Sequence, residues 1–249
     1  MGPVLALDAG NSRVKWGLYA PPRWLSLGAT PNAEIGTLAL RDWQNLPRPA
    51  RVVGVNVAGE GVRLRIEALV ARWRLAPEWL LASKQAAGVI NNYAAPEQLG
   101  ADRWAALVAT RRRLGAKPAA KPAAIVVNAG TAVTIDALDS DGVFRGGMIL
   151  PGLRLMQGAL ADNTAALKVA PGKLSDYPTN TADALYTGAL AAICGAIATM
   201  RARLSGGAGD VSCVMSGGAA PEIAPHVEGG AEVVDNLVLD GVLVLAGET

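Results

Sequence analysis

The sequence predicts an α/β protein of two similar halves facing each other across a cleft, and three observations predict it. First, an apolar strand, Leu5-Ala6-Leu7, ends on a carboxylate and a turn of small residues, Asp8-Ala9-Gly10-Asn11-Ser12. The chain then returns as a second strand through Arg13, Val14, Lys15 and Trp16. Second, the same plan recurs about 120 residues later in Ile125-Val126-Val127-Asn128-Ala129-Gly130-Thr131-Ala132-Val133-Thr134-Ile135-Asp136. Third, residues 115–124 read Gly-Ala-Lys-Pro-Ala-Ala-Lys-Pro-Ala-Ala, a low-complexity stretch with linker chemistry. The boundary is therefore set there, giving halves 1–115 and 116–249. So long a repeat does not suit a solenoid; it suits a duplicated half-molecule with a ligand gripped between the copies.

The first half reads in order as follows. After the opening hairpin, Arg23 to Gly28 is a third strand and Ala33 to Trp43 a helix. Pro47 and Pro49 mark a loop before Arg51-Val52-Val53-Gly54-Val55-Asn56-Val57, whose continuous β-branched run fits a buried parallel strand. Val62, Ile66, Leu69, Val70 and Trp73 fall at helical spacing within Gly61 to Trp73. Trp79-Leu80-Leu81 is a short strand, and Gly88 to Gly100 an irregular loop containing Asn91, Asn92, Tyr93 and Pro96. A strong helix starts at Ala101 and runs to about Leu114, with Asp102 in its first turn, where an acid favours the helix dipole. The order β-β-β-α-β-α-β resembles the ribonuclease-H-like unit, although periodicity alone does not separate that unit from other α/β layers.

In the second half the echo hairpin leads to a strand near Val143 and Phe144, then to Gly146-Gly147-Met148-Ile149-Leu150-Pro151-Gly152. Those glycines allow close passage of backbone past a ligand or another strand. A helix follows from Leu153 to about Leu160, then an aperiodic stretch over 161–180. Asn180-Thr181 caps the long apolar helix that follows, with Thr181 a candidate cap and Asp183 in the first turn. Val211 to Met215 is a strand running into Ser216-Gly217-Gly218, and Asn236 to Leu245 is a closing helix.

Composition narrows the function. Of 249 residues, 51% are hydrophobic and 18% charged, as in a globular enzyme and unlike a disordered chain. A net charge of +2 is too small to argue for nucleic acid or an anionic membrane as partner. The one dense basic run, Arg111-Arg112-Arg113, suits the C-terminal end of a helix. Cys194 and Cys213 are the only cysteines and form no metal motif, which points to a reducing cytoplasm. The single histidine, His226, leaves acid–base chemistry to carboxylates. The N-terminus enters a strand almost at once, so no signal peptide is expected. Ala184 to Met200 carries no charge and barely reaches membrane-spanning length; its glycines favour a buried or interface helix.

Three segments carry candidate chemistry, and each also has a purely structural reading. Asp8 can hold a magnesium ion, directly or through water. Gly10, Asn11 and Ser12 let backbone N–H groups approach phosphate oxygens, and Lys15 adds a point charge; the same turn also serves as an ordinary hairpin. In Gly100-Ala101-Asp102-Arg103, Asp102 is a candidate base and Arg103 a carboxylate clamp, unless the pair only initiates a helix. Gly217 and Gly218 either admit a flat ring or ribose against bare backbone or form a simple strand-to-helix turn.

Taken together, these motifs resemble the type III pantothenate kinases, of the acetate-kinase, sugar-kinase, heat-shock-ATPase and actin superfamily. They are Asp8-x-Gly10-Asn11-Ser12-x-x-Lys15-x-Gly17, Gly100-x-Asp102-Arg103, Asn128-x-Gly130-Thr131-Ala132-x-Thr134-x-Asp136, Gly146-Gly147-x-Ile149-x-Pro151-Gly152, Asn180-Thr181-x-Asp183-Ala184 and Ser216-Gly217-Gly218. They run in family order over nearly the whole chain. The resemblance implies two ribonuclease-H-like domains in an actin-like ATPase arrangement, with the active site in the cleft. It implies transfer of the ATP γ-phosphoryl group to the 4′-hydroxyl of pantothenate, the first step of coenzyme A synthesis.

By the same resemblance, Asp8, Ala9, Gly10, Asn11, Ser12, Arg13, Val14, Lys15, Gly130 and Thr131 bind ATP, with Gly217 and Gly218 near the adenosine. Magnesium arrives with ATP and is held by Asp8, with no separate protein metal site. Asp102 is the general base, and Tyr93, Gly100, Ala101, Asp102, Arg103 and Thr181 bind pantothenate. A monovalent cation (potassium or ammonium) is also implied. Asn128, however, stands where the family usually carries an Asp of that site, and an amide ligates without bringing charge; the cation requirement is therefore left open. The family is a cytoplasmic homodimer, and the small-residue helix Ala184 to Met200 is the candidate contact. An accessory or regulatory protein of the same family, or a kinase of another small molecule, are the competing functions.

Overall fold

A computed structural model describes residues 2–115, 122–162, 171–205 and 211–248. Parts of the expected linker (116–121) and of the aperiodic stretch (163–170) lie outside the described residues. The chain divides into two compact units, Met1–Ala116 with Asn236–Thr249, and Lys117–Asp235.

In the first unit β1 (Val4–Ala9), β2 (Arg13–Ala20) and β3 (Arg23–Pro31) form an antiparallel meander, and β4 (Arg51–Asn56) lies parallel to β1. With β5 (Glu78–Trp79), parallel to β4, the strand order is β3-β2-β1-β4-β5. Leu5, Leu7 and Ala9 pack into one cluster with Val62 and Ile66 of helix α1 (Glu60–Val70) and with Trp16, Trp43 and Trp73. A strand alternates its side chains, so Val4, Ala6 and Asp8 lie on the opposite face. After the small hairpin β6 (Gln85–Ala86) and β7 (Val89–Asn91) comes helix α2 (Ala101–Gly115).

The second unit repeats the plan. β8 (Ala123–Ala129), β9 (Ala132–Leu138) and β10 (Val143–Pro151) form an antiparallel meander. Helices α3 (Leu153–Asp162) and α4 (Thr181–Ser205) precede β11 (Val211–Ser216), which is parallel to β8. A short helix α5 (Ala220–Ile223) leads to β12 (Glu232–Val233), parallel to β11. The order β10-β9-β8-β11-β12 has the same strand senses as the first sheet. Ala189, Leu190, Ile193 and Ile197 of α4 join the core of this unit. Although α4 is long and apolar enough to cross a membrane, these residues pack against the sheet instead.

Several expectations are corrected. Residues 33–43 form no α-helix: a 3-10 turn spans Asn32–Thr37 and turns continue to Asn45. Gly36 and Thr37 are weak helix formers, and Ile35, Leu38 and Trp43 are buried from turns instead of from an α-helix. The Gly146-Gly147 stretch does pass against another strand, as allowed for: it lies inside β10, paired with β9, where the register slips between Phe144 and Gly146 and Gly146 has φ +122°. Asn180, rather than Thr181, caps α4: its Oδ1 accepts from Asp183 N at 3.0 Å, and its Nδ2 donates to Asp183 Oδ2 at 2.7 Å. Arg112 and Arg113 do lie in the last turn of α2, as expected of the basic run, while Arg111 is buried within the helix.

The last helix, α6 (Leu237–Leu245), belongs to the first unit rather than to a 116–249 half. It packs on α2 through Gly241, where a Cβ would overlap the Ala105 carbonyl oxygen. Helices approach this closely only without a side chain between them. Gly241→Ala is therefore expected to destabilise the first unit by about 3 kcal/mol and lower its midpoint by roughly 5–10 °C. Tryptophan fluorescence reads this directly, because all six tryptophans (Trp16, Trp24, Trp43, Trp73, Trp79 and Trp104) lie in that unit.

Candidate active site

The site in the first unit is assembled on the face of the sheet that carries Asp8. Asp8 is the penultimate residue of β1 and is paired across the ladder with Lys15 of β2, so the two side chains share a face. Gly10, Asn11 and Ser12 form the turn between them, closed by a Gly10 N–H to Arg13 carbonyl bond of 3.1 Å. Ala9 and Val14 are buried at its base, while Asn11, Ser12 and Arg13 are exposed.

Helix α2 brings the second carboxylate. Its first turn holds Ala101, Asp102 and Arg103, of which Ala101 and Arg103 are buried. Asp102 Oδ1 accepts from the Arg103 backbone N–H at 2.8 Å, which fixes the carboxylate at the helix start. Burial raises its pKa above the ordinary carboxylate value, opposed by that hydrogen bond and the Arg103 charge. Asp8 is pushed up to about 7, mainly by burial and then by the charge of Asp102, with Lys15 pulling the other way. The two carboxyls thus feel each other in one desolvated place. Their oxygen donors suit a hard divalent cation that keeps its other ligands from water and phosphate.

Tyr93 and Arg103 form the wall beside Asp102. Arg103 Nη1 donates to Tyr93 Oη at 3.1 Å, and the guanidinium carbon lies 5.8 Å from the Tyr93 ring centroid. Asn91, fully buried, holds the loop: its Nδ2 donates to the Pro96 carbonyl at 3.1 Å and its Oδ1 accepts from Tyr93 N at 3.1 Å. Lys84 Nζ donates to the Asn91 carbonyl at 3.0 Å. Sequence patterns give neither Asn91 nor Lys84 a role, because their side chains bind backbone groups, which leave no motif.

Gly100 has a clear steric reason. A Cβ there would sit 2.7 Å from Asp102 Oδ1 and 3.8 Å from Arg103 Cδ. Gly100→Ala can be absorbed by swinging a carboxylate, so it is expected to leave folding nearly intact. Misplacing that carboxylate should still reduce kcat by roughly tenfold to a hundredfold. Steady-state kinetics beside a thermal melt check both halves of this statement.

In the second unit Gly130 and Thr131 form the exposed turn between β8 and β9. Gly152 and Gly217 pack against it. Gly152 N donates to the Thr131 carbonyl at 2.8 Å, and a Cβ on either glycine would overlap backbone of residues 129–131. Gly217 has φ +107°, a conformation that favours glycine. Asn128 is half-buried opposite Thr134, the register position that Asp8 holds opposite Lys15. Thr181 is the exposed first residue of α4.

The family profile described as type III pantothenate kinase matches residues 4–203. The chain belongs to the type III pantothenate kinase family. A type III pantothenate kinase of Nitrosospira multiformis is 46% identical over 251 residues, covering 100% of this chain and 93% of the relative. One from Leptothrix cholodnii is 46% identical, covering 98% of this chain and 96% of the relative. Among solved structures, a Campylobacter jejuni protein assigned to the Baf family of transcriptional activators superposes with TM-score 0.65 at 18% identity, covering 98% of each chain. The PilM–PilN type IV pilus biogenesis complex gives 0.58 at 12% identity, covering 99% of this chain and 98% of that one. These likenesses show the fold alone, in keeping with the expected α/β class.

Proposed function

We propose that this chain is a kinase that phosphorylates pantothenate at the expense of ATP, with Asp102 as general base. Family membership supports the reaction. The observation that carries the assignment of roles is the placement of Asp102 at the start of α2, within electrostatic reach of Asp8 and beside the Arg103–Tyr93 wall.

In phosphoryl transfer the protein mostly positions groups and neutralises charge. The turn of residues 9–14 and Lys15 are assigned to the ATP phosphates, as are Gly130 and Thr131. Asp8 would hold the magnesium that accompanies ATP, and that ion would offset phosphate charge. Asp102 takes the proton from the acceptor 4′-hydroxyl, and its raised pKa suits a base that must hold a proton briefly. Arg103, pinned against Tyr93, presents its planar N–H groups to the pantothenate carboxylate. Gly100, Ala101 and Thr181 are assigned to the same substrate.

An ADP-release assay with and without pantothenate tests this reading. Pantothenate-dependent release is expected; release driven by a sugar and not by pantothenate would overturn it. Repeating the assay in potassium, ammonium and sodium tests the monovalent cation, with Asn128→Asp expected to steepen any potassium dependence. We also infer a homodimer in the cytoplasm. Exposed Ala184, Gly188, Ala191, Ala192 and Gly195 line one face of α4 and support a close helix contact. Analytical ultracentrifugation well above micromolar concentration should give a dimer, and a monomer there would refute it.

A further inference from the structure

Asn32 follows β3 directly, far in sequence from the opening turn, yet it binds all three carbonyls of that turn. Its Nδ2 donates to the Gly10 carbonyl at 2.9 Å and to the Asn11 carbonyl at 2.8 Å. Its backbone N–H donates to the Ser12 carbonyl at 3.0 Å. In a trans peptide the C=O and the N–H of the next residue point in opposite directions. Drawing the carbonyls of Gly10, Asn11 and Ser12 toward Asn32 therefore turns the N–H groups of Asn11, Ser12 and Arg13 the other way. Successive N–H groups aimed to one side form an anion-binding concavity.

Two further observations show that the amide is committed to this task. Asn32 Oδ1 is buried without a hydrogen-bond partner among the described residues. Flipping the amide would expose that oxygen to two carbonyls and lose both donors, so the orphaned acceptor is tolerated to keep the turn oriented. Arg65 of α1 also clamps the residue, its Nη1 donating to the Asn32 carbonyl at 3.0 Å.

We infer that Asn32 is a positioning residue for the nucleotide: it orients the backbone N–H groups of the Asn11–Arg13 turn toward the ATP phosphate chain without touching it. The inference rests on reading that turn as the ATP site. Asn32→Ala should raise the KM and the Kd for ATP about tenfold or more, because charge-assisted bonds to the phosphates lose their alignment. The KM for pantothenate should stay within about twofold, since the hydrogen bonds of Asn32 go to the opening turn and Arg65 and not to Arg103 or Tyr93. ATP binding within about twofold of wild type, or equal losses for both substrates, would overturn the inference. Should Asn32→Ala fail to fold, Arg65→Ala, at an exposed position, decides by the same ratio: a weaker but ATP-selective loss supports it, and an unchanged ratio overturns it. Wild-type protein that binds no ATP by calorimetry would instead overturn the reading of the turn.

Discussion

Replacing Asp102 with asparagine should lower kcat by about a hundredfold to ten-thousandfold, the usual contribution of a positioned general base. The amide is isosteric, and its Oδ1 can still accept the Arg103 N–H, so the helix start and the Tyr93 contact should survive. What it cannot do is accept the hydroxyl proton. A second effect distinguishes this variant from a merely damaged site. The charge of Asp102 helps hold Asp8 up near 7, so removing it should let Asp8 ionise at lower pH. Affinity for magnesium-bound ATP should accordingly hold or improve while turnover collapses. Calorimetry with ATP and steady-state kinetics on the same preparation measure both. A kcat within threefold of wild type would remove Asp102 from the role.

Much of this arrangement is legible in the residues themselves, and the reasons are physical. The two Asx–Ala–Gly hairpins are local, so spacing and composition reveal them, and the sheets they begin share one topology. Gly-x-Asp-Arg is legible for a similar reason, since the carboxylate, its hydrogen-bond donor and the glycine that makes room are neighbours in sequence. The attachment of α6 to the first unit is not legible. It depends on Gly241 meeting Ala105, a contact between segments 136 positions apart in number. The 33–43 segment misleads because its apolar residues suit a helix while Gly36 and Thr37 favour turns. Asn32 and Asn91 escape because each serves the site by holding backbone carbonyls or amides, a role without a side-chain signature. Thr181 looks like a cap by composition, but the geometry gives that role to Asn180, one residue earlier.

Replacing Asp8 with asparagine should make the ligand-free protein more stable at pH 8 while nearly abolishing turnover. The sign follows from the direction of the shift. Asp8 ionises near 7 in the folded chain against 3.8 as its ordinary value, so between these limits the folded state holds a proton that the unfolded state has released. Its contribution to stability is intact at low pH and is lost as pH rises from about 4 through 7. Above that window the ionised, desolvated carboxylate costs the fold roughly 2–4 kcal/mol. An asparagine carries no such cost, so urea unfolding followed by tryptophan fluorescence should show a gain of that order at pH 8, dwindling toward pH 4. Turnover with magnesium and ATP should fall roughly a hundredfold or more, because charge opposite the phosphates is no longer held in place. Equal destabilisation at both pH values would mean that Asp8 is a structural residue. Opposite signs for stability and activity would instead mark it as a group whose unfavourable burial is kept for the ligand, the pattern expected where a site sacrifices stability to function.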